Sequence, residues 1–146
     1  MTTWTEFAKQ APELAAFGEA RFKKGVAYLG TLREDGCPRV HPVTPIIGEQ
    51  LFLFMEPTSP NGKASQRDTR YTLHCAVDDS SGGSGEFYVR GRGTLTDDPQ
   101  VRAQAVAASS YAPSDRYILF VFTVEFAFMN TYVDGKPNPQ RWQSAE

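Results

Sequence analysis

Two apolar periods divide this chain. Ahead of Gly25, Leu14, Phe17, Arg21 and Phe22 recur at helical spacing. Thr3 followed by Glu6 has the spacing of a capping box, Pro12 suits a first helical turn, and Lys23 and Lys24 precede Gly25 as a helix stop. Residues 1–25 are therefore predicted as two short helices or one kinked helix, with an apolar stripe that must pack on another element. From Val26 the period becomes two. Val26, Tyr28, Gly30 and Leu32 alternate with Ala27, Leu29 and Thr31, and Glu34-Asp35-Gly36 turns the chain into a second extended run from Pro38 to Ile47. Further runs follow at Leu51–Met55, Arg70–Val77 and Glu86–Thr96.

The longest run, Tyr117–Phe128, places Ile118, Phe120, Phe122, Val124, Phe126 and Phe128 on one predicted core face. Asp97-Asp98-Pro99 begins a helix over Gln100–Ala108, and Asp78–Gly85 reads as an exposed loop. The closing residues, 129–146, read as a mostly irregular tail. Six short strands with few helices favour a closed or nearly closed antiparallel barrel, which removes exposed sheet edges. The fold class expected from the pattern is mainly β with peripheral helices, an antiparallel β-barrel, with the N-terminal stripe covering a barrel end.

Composition narrows the function. At 146 residues the chain is one domain's worth, 1–146, and 40% hydrophobic residues can fill a core. A formal charge of −2 supplies no cationic field for nucleic acid or an anionic membrane. No N-terminal signal pattern or membrane-length apolar stretch is present, so a cytoplasmic address is expected. Cys37 and Cys75 form no C-x-x-C pair, and neither they nor the two histidines have metal-ligand spacing, so no metal is expected.

The strand PRVHPVTPII is the most unusual. Pro42 and Pro45 cannot donate ladder hydrogen bonds, so it belongs at an edge or a bulge. Arg39 and His41 alternate onto one face, about 6 to 7 Å apart, and could hold a phosphate or the polar rim of a heterocycle. A second candidate lies in TSPNGKASQRDTR, where Lys63, Arg67 and Arg70 accompany a turn that feeds a short helix, a suitable setting for a phosphate dianion. Taken alone, the first pattern is more simply a solvated Arg39 beside a hydrogen-bonded barrel histidine, and the second a polar helix with a solvated charged face, the commoner origin of such a charge pattern. His74 and Cys75 are expected at satisfied core positions. Gly91 and Gly93 lie inside a strand and fit neither nucleotide fingerprint; close approach by backbone or a ring suits them better. G-x-S-x-G is missing, and no catalytic residue is assigned.

These pieces occur together in a known order. GVAYLGTLREDGCPRVHPVTPI resembles the first hairpin, TSPNGKASQRDTRYTLH the phosphate-loop segment, and GEFYVRGRGTLTDDPQVRAQA the later strand and helix of proteins related to pyridoxamine 5'-phosphate oxidase. The resemblance runs from Trp4 to Phe128. It implies a split barrel that forms a homodimer with FMN at the subunit interface, F420 being the alternative cofactor. Arg39, Val40, His41 and Pro42 would touch the ring and ribityl chain, and Ser59, Lys63, Gln66 and Arg67 the phosphate. Arg141 and Trp142 resemble the closing Arg-Trp of some members, with Trp142 covering a ligand or packing across the dimer. Asn61 stands where Ser-Pro-Lys members carry lysine, with Lys63 two residues later, which alters that phosphate grip. The activity implied is flavin- or deazaflavin-dependent oxidoreduction of a small organic substrate; a flavin- or haem-binding module without turnover, or a barrel without ligand, is the competing class.

Overall fold

The computed structural model of the chain describes residues 1–145; Glu146 lies outside the described residues. Two helices open it, α1 (Trp4–Gln10) and α2 (Pro12–Phe22). The capping box forms as predicted: the Thr3 hydroxyl accepts from the Glu6 amide while the Glu6 carboxylate accepts from the Thr3 amide. Strands β1 (Ala27–Leu32), β2 (Pro38–Val43), β3 (Ile46–Ile47) and β4 (Leu51–Met55) follow, then α3 (Pro60–Arg67), β5 (Arg70–Cys75), β6 (Glu86–Thr96), α4 (Pro99–Ala108), β7 (Ile118–Phe122), β8 (Phe126–Val133) and β9 (Lys136–Gln143).

Every strand pairing is antiparallel, in the order β2-β1-β5-β6-β7-β4-β3, with β8 on β6 and β9 on β8. The first hairpin turns at Gly36, whose φ of 85° favours glycine. The run predicted over Pro38–Ile47 breaks at Thr44–Pro45 into β2 and β3, which are the two ends of the path; Pro38 and Pro42 sit on an edge strand and Pro45 in the break, as their missing N–H groups require. Because β2 runs almost directly into β3, the curled sheet's two margins are joined by chain rather than by a ladder.

The single strand expected over Tyr117–Phe128 is two strands separated by a bulge. Phe122 pairs with Gly93 and Phe126 with Arg90, so three residues of this strand face two of β6. One extra residue inverts which side faces in. Phe120, Phe122 and Val124 are buried before the slip, Ala127 and Met129 after it, and Phe126 and Phe128 turn to the outer face. The strand's other neighbour also changes there, from β4 to β9, and this divergence splits the barrel. Gly91 is needed at this point because a Cβ would meet the Thr123 carbonyl oxygen at 2.3 Å; at Gly93 it would meet the Phe122 ring at 2.5 Å.

The core is aromatic at the helical end. Phe7, Phe22, Phe87 and Phe120 are fully buried, and the Phe87 ring lies 5.4 Å from Phe22 and 6.4 Å from Trp4. α2 packs on β5, β6 and β8, so the N-terminal stripe covers a barrel end. The closing segment is not irregular: β8 and β9 form a hairpin, with Pro137 and Pro139 tolerated because β9 is an edge strand.

Candidate functional site

Antiparallel register assigns side chains to faces. Arg39 pairs with Thr31 and His41 with Leu29, and Thr31 and Leu29 face the barrel interior; Val40 pairs with Gly30 and faces outward. α3 packs against β1 beside them. Ser59 caps α3 by accepting from the Gly62 amide and donates its own proton to the Glu56 carbonyl. The Gln66 amide donates to the Pro57 and Gly62 carbonyls. Both side chains thus shape the loop.

Arg39, Lys63 and Arg67 converge on a pocket of about 430 Å³, joined by Arg33, Glu34 and Asp35. Arg67 donates to the Leu32 carbonyl at 2.8 Å and lies 3.8 Å from Glu34; Arg33 lies 3.9 Å from Asp35. Lys63 has no carboxylate partner among the described residues. Four cations against two carboxylates make this an anion-attracting concavity.

The corner is also under-satisfied. Among the described residues, the buried side-chain polar atoms without a hydrogen-bond partner are Thr31 Oγ1, Arg39 Nε, His41 Nε2, Asn61 Oδ1 and Ser65 Oγ. All five belong to β1, β2 and α3. Each such atom costs about 1–3 kcal/mol, and native structures seldom carry that cost without a ligand, water or functional reason. Burial first, and the Arg39 charge second, push the His41 pKa down from its ordinary 6.5, so the ring is neutral at neutral pH.

The outer face of the sheet carries a second concavity of about 670 Å³. Register aligns Val40, Gly30, Thr72, Arg90 and Phe126 in one row and Pro42, Tyr28, His74, Tyr88 and Phe128 in the next. His74 therefore points outward, contrary to its expected core placement, because only one side of an alternating strand can face in; Cys75 is the buried one. Its Nδ1 lies 2.6 Å from the Cys75 carbonyl oxygen and its Nε2 3.1 Å from Glu86. Hydrogen bonding to Cys75, reinforced by Glu86 and opposed by burial, pushes its pKa up to about 9.

Arg141 stands on this outer face above the Phe128 ring, 5.2 Å away, whereas the Trp142 indole turns inward and packs on Phe7 at 4.9 Å. Of the residues singled out from sequence, the structure brings Arg39, Lys63 and Arg67 together, puts Val40 on the groove, and places Arg141 and Trp142 on opposite faces. The sequence reading passed over Arg33, Thr31, Ser65 and Arg90. Thr31 carried a signal, being the polar member of the buried set Ala27-Leu29-Thr31.

No protein-family model and no curated protein sequence matches the chain. Solved structures do. A haem-binding protein from Mycobacterium smegmatis superposes with a TM-score of 0.66 at 17% identity, over 82% of this chain and 52% of that one, so this chain spans about half its length. A NimC/NimA family protein from Clostridium acetobutylicum matches at TM-score 0.66 and 19% identity over 96% of both chains. A protein of the pyridoxinephosphate oxidase family from the same organism matches at 0.64 and 13% identity, over 89% of this chain and 93% of that one. The fold is the split barrel of the pyridoxamine 5'-phosphate oxidase type, as expected. No described helix is long and apolar enough to cross a membrane.

Proposed function

We propose that the chain is an FMN-binding oxidoreductase that works as a homodimer in the cytoplasm. The observation that carries the reading is the set of five unpartnered buried polar atoms on β1, β2 and α3, beside a pocket with an excess of two cations. That combination fits a ligand with a dianionic phosphate and a polar chain of hydroxyls. Lys63, Arg39, Arg67 and Arg33 would hold the phosphate. Thr31, Asn61 and Ser65 offer neutral polar contacts to the chain, with Asn61 taking the place of a lysine. Val40, Pro42 and His41 would border the ring. Bound flavin supplies hydride chemistry, and the protein's part is to position it and set its electrostatics. Exposed Tyr28 (44%) and Val40 (66%) favour the outer sheet face as the side where a second copy packs.

F420 shares the phosphate-bearing tail and the tricyclic ring. A haem-binding module without turnover is a separate reading, favoured by one observation: His41 presents a buried, unpartnered Nε2 on a ring held neutral, the form that binds iron.

Titration with FMN, riboflavin, F420 and haem, read by absorbance and fluorescence, tests these. FMN should bind at micromolar concentration, and riboflavin at least tenfold more weakly because it lacks the phosphate. Lys63→Met should abolish that difference. Equal affinity for FMN and riboflavin, or no uptake near 100 µM (roughly −5.5 kcal/mol), would sink the flavin reading. A haem Soret shift lost in His41→Ala would select the haem module.

A further inference from the structure

The β2–α3 corner holds two carboxylates, and they are fastened on different terms. Asp35 is built into the β1–β2 turn. It accepts from the Cys37 amide at 3.0 Å, a bond that holds its carboxyl below the usual range, and it lies 3.9 Å from Arg33 Nε. Glu34 is held only by its charge. Among the described residues its carboxylate meets one cation, Arg67, at 3.8 Å, and its side chain is 84% exposed. One carboxylate belongs to the turn; the other is a side chain that can leave.

Arg67 does not depend on Glu34 for its place. Its Nη2 donates to the Leu32 carbonyl at 2.8 Å, which ties the last turn of α3 to the end of β1, and its Nη1 turns to Glu34. The start of α3 adds few donors of its own. Pro60 has no N–H, the Gly62 amide goes to the Ser59 hydroxyl, and the Lys63 amide goes to the Ser59 carbonyl. Side chains must therefore hold an anion here. Arg39 and Lys63 have no carboxylate partner among the described residues, and the partner of Arg33 is fixed by the turn itself. Of the four cations, Arg67 is the one whose carboxylate has to move before Nη1 can serve a ligand.

We propose, resting on the reading of this corner as a phosphate site, that Glu34 is a built-in competitor of the phosphate: it engages Arg67 until a phosphate ester takes its place, which releases the β1–β2 turn from Glu34's contact with α3. The competition falls on every anion. A ligand with further contacts along β1 and β2 offsets it, whereas inorganic phosphate has none to offer, so the contact helps keep free phosphate out of the pocket.

The test titrates the full chain with inorganic phosphate, FMN and riboflavin, followed by NMR of the Glu34 carboxylate, the Arg67 guanidinium and the Lys63 ammonium, and by flavin fluorescence. Glu34→Gln should tighten phosphate and FMN by about two- to fivefold, the range of an exposed ion pair, and leave riboflavin unchanged. Glu34→Asp separates competition from a general field: it keeps the charge but is one methylene short of Arg67, so it should tighten both ligands as well. In the wild type, saturating phosphate should shift the Glu34 carboxylate resonance as Arg67 lets it go. A Glu34→Asp protein that binds like the wild type would overturn the proposal, as would a Glu34→Gln protein of unchanged affinity or a Glu34 resonance that does not move. If inorganic phosphate follows this pattern while FMN does not bind, the cofactor reading alone falls. If FMN binds and both variants match the wild type, the competitor falls and the cofactor reading stands. If neither FMN nor phosphate at about 10 mM perturbs Lys63 or Arg67, both fall.

Discussion

The two ends of this barrel are built on opposite terms. Where α1 and α2 cover it, Trp4, Phe7, Phe22, Phe87 and Trp142 pack edge to face and tilted, with no buried side-chain polar atom left unpartnered among the described residues. At the β2–α3 corner the same small molecule buries five polar atoms without partners and gathers four cations. One end supplies stability and the other spends it, a division expected where a site must be complementary to something other than the protein itself. The bulge at Thr123–Glu125 serves the packed end: it turns Ala127 and Met129 into the core and releases Phe126 and Phe128 to the outer face.

The sharpest break comes at the packed end. Phe87→Ala should cost about 3–5 kcal/mol, because its ring is fully buried against Phe22, Trp4 and Phe17 and the opposing Gly18 cannot fill the space. Urea unfolding followed by circular dichroism measures it. A loss below 1 kcal/mol would mean that the aromatic cluster is not where the stability resides.

Gly91→Ala comes next, at roughly 1–3 kcal/mol, since the new methyl must displace the Thr123 carbonyl from 2.3 Å. Its signature lies beyond stability: if the bulge shifts, Phe126 moves, and the Arg90–Phe126 stack should change with it in NMR. Unfolding energies equal to wild type would show that the bulge relaxes freely.

The corner should respond in the reverse direction. Thr31→Val removes a buried hydroxyl that has no partner while keeping the side chain's shape, so the ligand-free protein should become more stable by up to about 1 kcal/mol. FMN affinity should fall at the same time. A destabilised Thr31→Val protein would mean that the hydroxyl is satisfied and that the corner resembles the helical end after all.

Most of this contrast was legible in the alternation of residues, and its failures have physical causes. The capping box, the hairpin at Gly36, β4 and β6 depend on short-range signals and emerge as predicted. The bulge does not, because a one-residue slip is decided by which partner each half of a strand meets; yet Ala127 and Met129, apolar at the wrong parity for a single strand, hinted at it. β9 was hidden by Pro137 and Pro139, which argue against a strand unless its edge position is known. Lys63 and Arg67 could be singled out from their charge. That Ser59 and Gln66 spend their hydrogen bonds on the loop before α3 and on its first turn could not, since side-chain pairing is a property of the folded loop.

The smallest effect concerns His74, on the outer wall between the two ends. Its unfolded value is near 6.5 and its folded value is pushed up to about 9, so the folded state holds the proton more tightly. The stabilisation is fully present below pH 6.5 and is lost as pH rises through about 9. His74 is about one-third exposed (34%) and its partner Glu86 more so (42%), so solvent screening keeps the contribution below about 1 kcal/mol. Denaturation midpoints of wild type and His74→Gln should differ most near pH 6, where the imidazolium bonds the Cys75 carbonyl and Glu86, and should converge by pH 10. A gap that stays constant across that range would show that the ring acts through its stacking on Tyr88, 6.0 Å away at an interplanar angle of 12°, and not through its charge.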